Sequence, residues 1–205
     1  MIVIFYFVGT LGNTSNLLYG PYGIDYDIIS NSFYISDRGN YRIMRYRTGS
    51  MIGESVADNN NTASSDPARL SFPCGIYFDS FSKYLYIGNS GLHNIVRWTP
   101  GESNGVVVLG DTINGSPGNT SILLWDTVDI TLDPMGNIYV ADRGNHRIQF
   151  FAVGQSVGST IAGISSMKGN ASNTLSSPSS IALDSQLNLY VADFGNNRIQ
   201  LFLRY

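Results

Sequence analysis

Tyr139-Val140-Ala141-Asp142-Arg143-Gly144-Asn145-His146-Arg147-Ile148 decides how this chain is read, because the same ten-residue pattern occurs four times. Tyr34–Ile43 reads YISDRGNYRI, Tyr86–Ile95 reads YIGNSGLHNI, and Tyr190–Ile199 reads YVADFGNNRI. The turn of each copy begins at Asp37, Asn89, Asp142 and Asp193, so the successive steps are 52, 53 and 51 residues. A fixed period of this size marks an architecture of stacked, similar units. Upstream of each copy lies PYGIDYD (from Pro21), PCGIYFD (from Pro73), TVDITLD (from Thr127) or PSSIALD (from Pro178). Downstream of the first three come SMIGES, VVVLGD and TIAGIS.

Each period therefore holds four strand-sized pieces, a to d. They are rich in Ile, Val, Tyr and Phe and are bounded by Gly, Asn, Asp and Ser. No stretch carries sustained helical periodicity. Four short strands per period read as one propeller blade, and a blade buries both faces only by stacking on neighbours. The expected fold is all-β: four four-stranded blades at about 21–56, 73–111, 127–164 and 178–205, with residues 1–9 as a lone outer strand, in one propeller region spanning 1–205. Strand d of the fourth copy is missing, and Ile2–Gly9 resembles one. An open arc, part of a six-bladed ring, is the expected arrangement. The competing one is a closed four-blade ring in which Ile4 or Phe5 pairs with strand c around Gln200–Leu203.

The D-x-G-N-x-R-I turn, preceded by Tyr-Val/Ile and P-x-G-I-x-x-D, resembles the NHL repeat over nearly all of Pro21–Phe202. The resemblance implies a β-propeller, commonly six-bladed. It also implies the range of roles found among such proteins: recognition ends of ubiquitin ligases, adhesion proteins and a peptide-amidating lyase. The period here is longer than the family's usual forty-odd residues, mostly between strand d and the next strand a.

Composition narrows the function. Charged residues make up 13% of the 205, and the net charge is −3 with only 12 Lys and Arg. A nucleic-acid partner is disfavoured, because affinity for phosphates needs a basic footprint. The apolar N-terminal run MIVIFYFVG is too short to span a bilayer. A single cysteine, Cys74, excludes an internal disulfide and a cysteine-based zinc site.

Asp37 and Arg42, Asp142 and Arg147, and Asp193 and Arg198 are read as structural turn pairs, five residues apart across a Gly-Asn turn. In the second copy Asn89 and Asn94 replace both charges together, which leaves neither partner unpaired. His93 and His146 fill one variable slot in adjacent copies, too few for a zinc site. Asp129 stands where Gly23 and Gly75 stand, at the channel end of strand a, and one carboxylate makes no calcium site. Catalytic residues, metal and cofactor are therefore assigned as none. The expected function is a binding or scaffolding module taking a protein, peptide or glycan on loops of one propeller face. Candidate recognition residues are Arg38, Tyr41, Leu92, His93, Arg143, His146 and Phe194. The alternatives are a hydrolase or lyase with a metal in the central channel, or the substrate-recognition part of a ubiquitin ligase. Asn-x-Ser/Thr sequons at Asn13, Asn60, Asn114, Asn119 and Asn170 all fall in the d–a linkers and favour a secreted glycoprotein, with the compartment otherwise open.

Overall fold

A computed structural model describes residues 10–58 and 62–204. The proposed pairing of Ile4 or Phe5 with strand c, and the sequon at Asn60, lie outside the described residues. Blade 1 is β1 (Pro21–Asp27), β2 (Ser32–Asp37), β3 (Arg42–Arg47) and β4 (Glu54–Ala57). Blade 2 is β5 (Pro73–Asp79), β6 (Tyr84–Asn89), β7 (Asn94–Trp98) and β8 (Val106–Leu109). Blade 3 is β9 (Thr127–Leu132), β10 (Ile138–Asp142), β11 (Arg147–Phe151) and β12 (Ser159–Gly163). Blade 4 has three strands among the described residues, β13 (Ser180–Leu183), β14 (Leu189–Asp193) and β15 (Arg198–Phe202). Each sheet is an antiparallel meander in chain order. The first strands β1, β5, β9 and β13 stand side by side around a central channel. No described helix is long and apolar enough to cross a membrane.

One strand differs from the sequence reading. Strand d of blade 1 was expected in Ser50–Ser55 and lies at Glu54–Ala57. Gly53 was aligned with the glycine that ends strand d, but it occupies the slot of Gly105 and Gly158 just before that strand. There the absent side chain makes room for a ring: a Cβ would lie 2.6 Å from Tyr46, 2.7 Å from Trp98 and 2.6 Å from Phe151 in the three blades. Asp58, at φ 44°, takes the strand-ending position held by Gly110 and Gly163, both also at positive φ.

The described core consists of three repeated blade-to-blade seams and a fourth cluster in blade 1, formed by Leu18, Ile35, Met44 and Tyr46. Tyr34 and Ile43 of blade 1 pack on Ile76, Phe78 and Ile87 of blade 2, with the Tyr34 and Phe78 rings stacked at 4.3 Å. Ile95 faces Ile130 and Val140 across the second seam, and Tyr139 and Ile148 face Ile181 and Val191 across the third. The periodic sequence predicts equal burial at equivalent positions, and the two ends break that rule. Ile76, Ile130 and Ile181 are 7%, 3% and 7% exposed, whereas Ile24, in the same slot of β1, is 61% exposed. Ile43, Ile95 and Ile148 are 0% exposed, whereas Ile199 of β15 is 66% exposed. The trailing flank of blade 4 is thus open to solvent, and so is the inner strand of blade 1 at Ile24, while Ile35, Met44 and Tyr46 on the same flank of blade 1 are buried with Leu18.

Candidate functional site

The b–c turns and the d–a linkers meet on one side of the disc. The amides of Gly39, Gly91, Gly144 and Gly195 donate to the linker carbonyls of Tyr19, Ser71, Trp125 and Ser176, at 2.7–2.9 Å. Each turn is a single 3-10 turn closed by a left-handed residue, Tyr41, His93, His146 or Asn197. The turn carboxylate joins the two segments. Oδ1 of Asp37, Asp142 and Asp193 accepts the amide of Tyr19, Trp125 and Ser176, at 2.6, 2.7 and 2.6 Å. Oδ2 accepts Nε of Arg42, Arg147 and Arg198, at 2.7, 2.7 and 2.8 Å.

The rest of each guanidinium reads the linker. Arg42 donates to the carbonyls of Asn13, Thr14 and Leu17. Arg147 donates to those of Asn119, Thr120 and Leu123. Arg198 donates to those of Asn170, Ala171 and Thr174. Asn40, Asn145 and Asn196 donate to the preceding Gly12, Gly118 and Gly169. The sequons at Asn13, Asn119 and Asn170 are therefore parts of one repeated Gly-Asn linker turn, so their recurrence follows from the fold and carries no separate weight for glycosylation. In blade 2 a neutral pair replaces the ionic one: Asn89 Oδ1 accepts the Ser71 amide at 2.7 Å, and its Nδ2 donates to Asn94 Oδ1 at 3.1 Å.

The side chains expected on the recognition face divide into engaged and open ones. His93 Nδ1 accepts the Asp126 amide and His146 Nδ1 the Ser177 amide, each at 3.1 Å, so both imidazoles stitch their turn to the next blade's linker. Tyr41 makes the corresponding contact through an edge-on packing against Phe72, at 5.0 Å. Arg143 is paired with Asp126 at 2.7 Å. Leu92 is not on the face: it is buried at 7% exposure, covered by the linker turn at Gly115. Arg38 is half-buried over the Phe72 ring, at 4.9 Å, and Phe194 is 71% exposed. Three aromatics that the repeat did not point to complete the rim: Tyr19, Phe72 and Trp125, all on linkers and all exposed. Tyr19 and Trp125 lie flat against Gly39 and Gly144, where a Cβ would come within 2.7 and 2.6 Å of the rings. Their only sequence signal is a position 18 or 17 residues ahead of the turn carboxylate.

Below this rim the channel encloses about 630 Å³, lined by Tyr22, Asp25, Tyr77, Asp129, Thr131 and Ser180 among others. Asp129 fits because Gly75 of the neighbouring strand lacks a side chain there. Its Oδ2 accepts the Ser180 hydroxyl at 2.7 Å and the Ile181 amide at 2.9 Å. Asp25 accepts the Phe78 amide at 2.6 Å. Both carboxylates thus bridge one inner strand to the next, and burial pushes both of their pKa values up. Among the described residues no three His, Cys, Asp or Glu side chains converge as a metal-binding group.

The imidazole stitches predict a pH effect. Burial lowers the pKa of both histidines, with Lys168 adding to the shift at His146 and Asp126 and Asp193 opposing it. The unfolded chain then takes up protons first as pH falls below about 6.5, so stability declines from that value down to the lower folded pKa. The raised carboxylates act with the opposite sign at more acid pH. Urea midpoints should fall between pH 7.5 and 5.5. A His93→Asn/His146→Asn chain, copying Asn197 at the same left-handed slot, should lose most of that slope. An unchanged slope would refute the stitches.

Repeated four-stranded sheets around a channel define a β-propeller. The NHL repeat family model matches residues 127–151 and 175–202, so this β-propeller carries NHL repeats in its third and fourth blades. No curated protein matches it in sequence. Among solved structures, an auxiliary nutrient binding protein from Bacteroides thetaiotaomicron superposes with a TM-score of 0.65 at 18% identity, covering 86% of this chain and 46% of that one. A virginiamycin B lyase from Staphylococcus aureus gives 0.62 at 18%, covering 95% and 56%. A gluconolactonase from Xanthomonas campestris gives 0.67 at 16%, covering 93% and 63%. At these identities the likeness is one of fold, and the chain spans about half the length of the structures it matches.

Proposed function

We propose that the chain is a non-catalytic binding module that takes a protein, peptide or glycan on the linker face, at the channel mouth. One observation carries this reading. The groups suited to acid–base chemistry, Asp25, Asp129, His93 and His146, each hold backbone amides of a neighbouring blade. By contrast, Tyr19, Trp125 and Phe194 offer exposed rings on the linkers and turns. Large aromatics fixed at low entropic cost are the usual anchors of binding surfaces. The nutrient-binding neighbour supports a ligand-holding role, while the lyase and lactonase neighbours keep the catalytic alternative open to test.

A panel of fluorescein-labelled peptides and neutral oligosaccharides tests the proposal. A binder found there should lose about ten-fold or more in affinity with Trp125→Ala or Phe194→Ala. It should be indifferent to Phe81→Ala, a ring 96% exposed on an a–b turn of the opposite face. Binding abolished by Phe81→Ala alone would overturn the assignment, as would lactone or ester turnover sensitive to Asp129→Asn.

A further inference from the structure

Arg38 stands apart from the other arginines of this face. Arg42, Arg147 and Arg198 are engaged by turn carboxylates and linker carbonyls, and Arg143 by Asp126. Among the described residues no carboxylate lies within ion-pair distance of Arg38. Its Nε is buried without a hydrogen-bond partner, while the side chain as a whole is only half-buried. Phe72 lies under the guanidinium at 4.9 Å. Arg38 directly follows Asp37, the ladder partner of Pro21, and so stands at the linker end of the inner strand β1. Burial raises the pKa of the channel-lining Tyr22 hydroxyl, and the charges of Arg143 and Arg38 oppose that shift, as cations near the mouth would. In the second and fourth copies the slot of Arg38 holds Ser90 and Phe194, so the repeat itself does not require a cation there.

A guanidinium held on an aromatic ring, beside the Cys74 thiol but with no carboxylate in ion-pair reach among the described residues of a chain of net charge −3, keeps an unpaired charge. A planar carboxylate satisfies such a group through two parallel N–H···O bonds. We propose that the mouth selects ligands bearing a carboxylate, which pairs with Arg38 while an adjoining apolar group of the ligand rests on Phe72 and Tyr22. This rests on the binding reading above and names the ligand chemistry of that same site.

N-acetylphenylalanine and N-acetylphenylalaninamide are suitable probes, because they differ only in the charge of the terminal group. Titrated into the full chain and followed by NMR, the carboxylate should shift the Arg38 side-chain resonances. It should bind about ten-fold tighter than the amide, with the preference shrinking as salt rises. Arg38→Gln should erase the preference, bringing the two probes to the same affinity. Arg38→Lys, which keeps the charge without the fork, should retain only part of it. Equal binding of both probes, or a preference that survives Arg38→Gln, overturns the carboxylate assignment while leaving the linker-face site standing. Absence of binding by either probe also overturns it, and the peptide and oligosaccharide panel then judges the broader reading by itself.

Discussion

Ile148→Ala is expected to cost about 2–4 kcal/mol of stability, whereas Ile199→Ala, at the same place in the next copy of the repeat, should cost no more than about 0.5 kcal/mol. The two isoleucines are indistinguishable in the sequence. Each follows the arginine of its turn and stands on strand c of its blade. Ile148 faces Ile181 and Val191 across a closed seam and is 0% exposed, so truncation leaves a cavity. Ile199 is 66% exposed, so truncation removes little that was out of water. The reverse comparison applies at the other end, where Ile76→Ala should be costly and Ile24→Ala nearly neutral. Urea unfolding of the four variants measures both contrasts. Equal costs for Ile148 and Ile199 would mean that the trailing flank of blade 4 is covered in solution.

Arg147→Ala should be at least as damaging, at about 3–5 kcal/mol, because it strands a buried carboxylate. Asp142 is 0% exposed and would keep only the amide of Trp125 and the amide group of Asn145 as donors. Burial already pushes the Asp142 pKa up against those donors, which marks the environment as unfriendly to a lone charge. The carbonyls of Thr120 and Leu123 would lose their donor as well, and that of Asn119 would keep the Ser165 hydroxyl. Blade 2 shows a tolerated alternative, since Asn89 and Asn94 keep the link to the Ser71 amide and to each other without charge, and Asn94 donates to the linker carbonyl of Pro67. Asp142→Asn/Arg147→Asn should therefore recover at least about 1 kcal/mol relative to Arg147→Ala. A double variant less stable than Arg147→Ala would show that the ionic pair is not interchangeable with its neutral counterpart at this blade.

The sequence by itself determined the propeller, its four repeats and the Asp–Arg turns. All of these rest on residues within one period, whose spacing sets which strand follows which and which side chains meet across a five-residue turn. What only the tertiary structure decided depends on segments whose spacing is not periodic. The linkers vary in length and composition, so nothing local revealed that Arg147 holds the carbonyls of residues 119–123, or that Leu92 is covered by the turn at Gly115. Nothing local revealed that Trp125 and Tyr19 lie on the glycines of the turns either. Strand d of blade 1 was misplaced for a related reason. Gly53 serves the packing of the Tyr46 ring, a three-dimensional demand that one-dimensional alignment reads as a strand end. The two end strands β1 and β15 are the clearest case. Ile24 and Ile199 carry the same repeat signature as their buried counterparts, and burial belongs to the neighbour a residue meets in space, not to the residue itself.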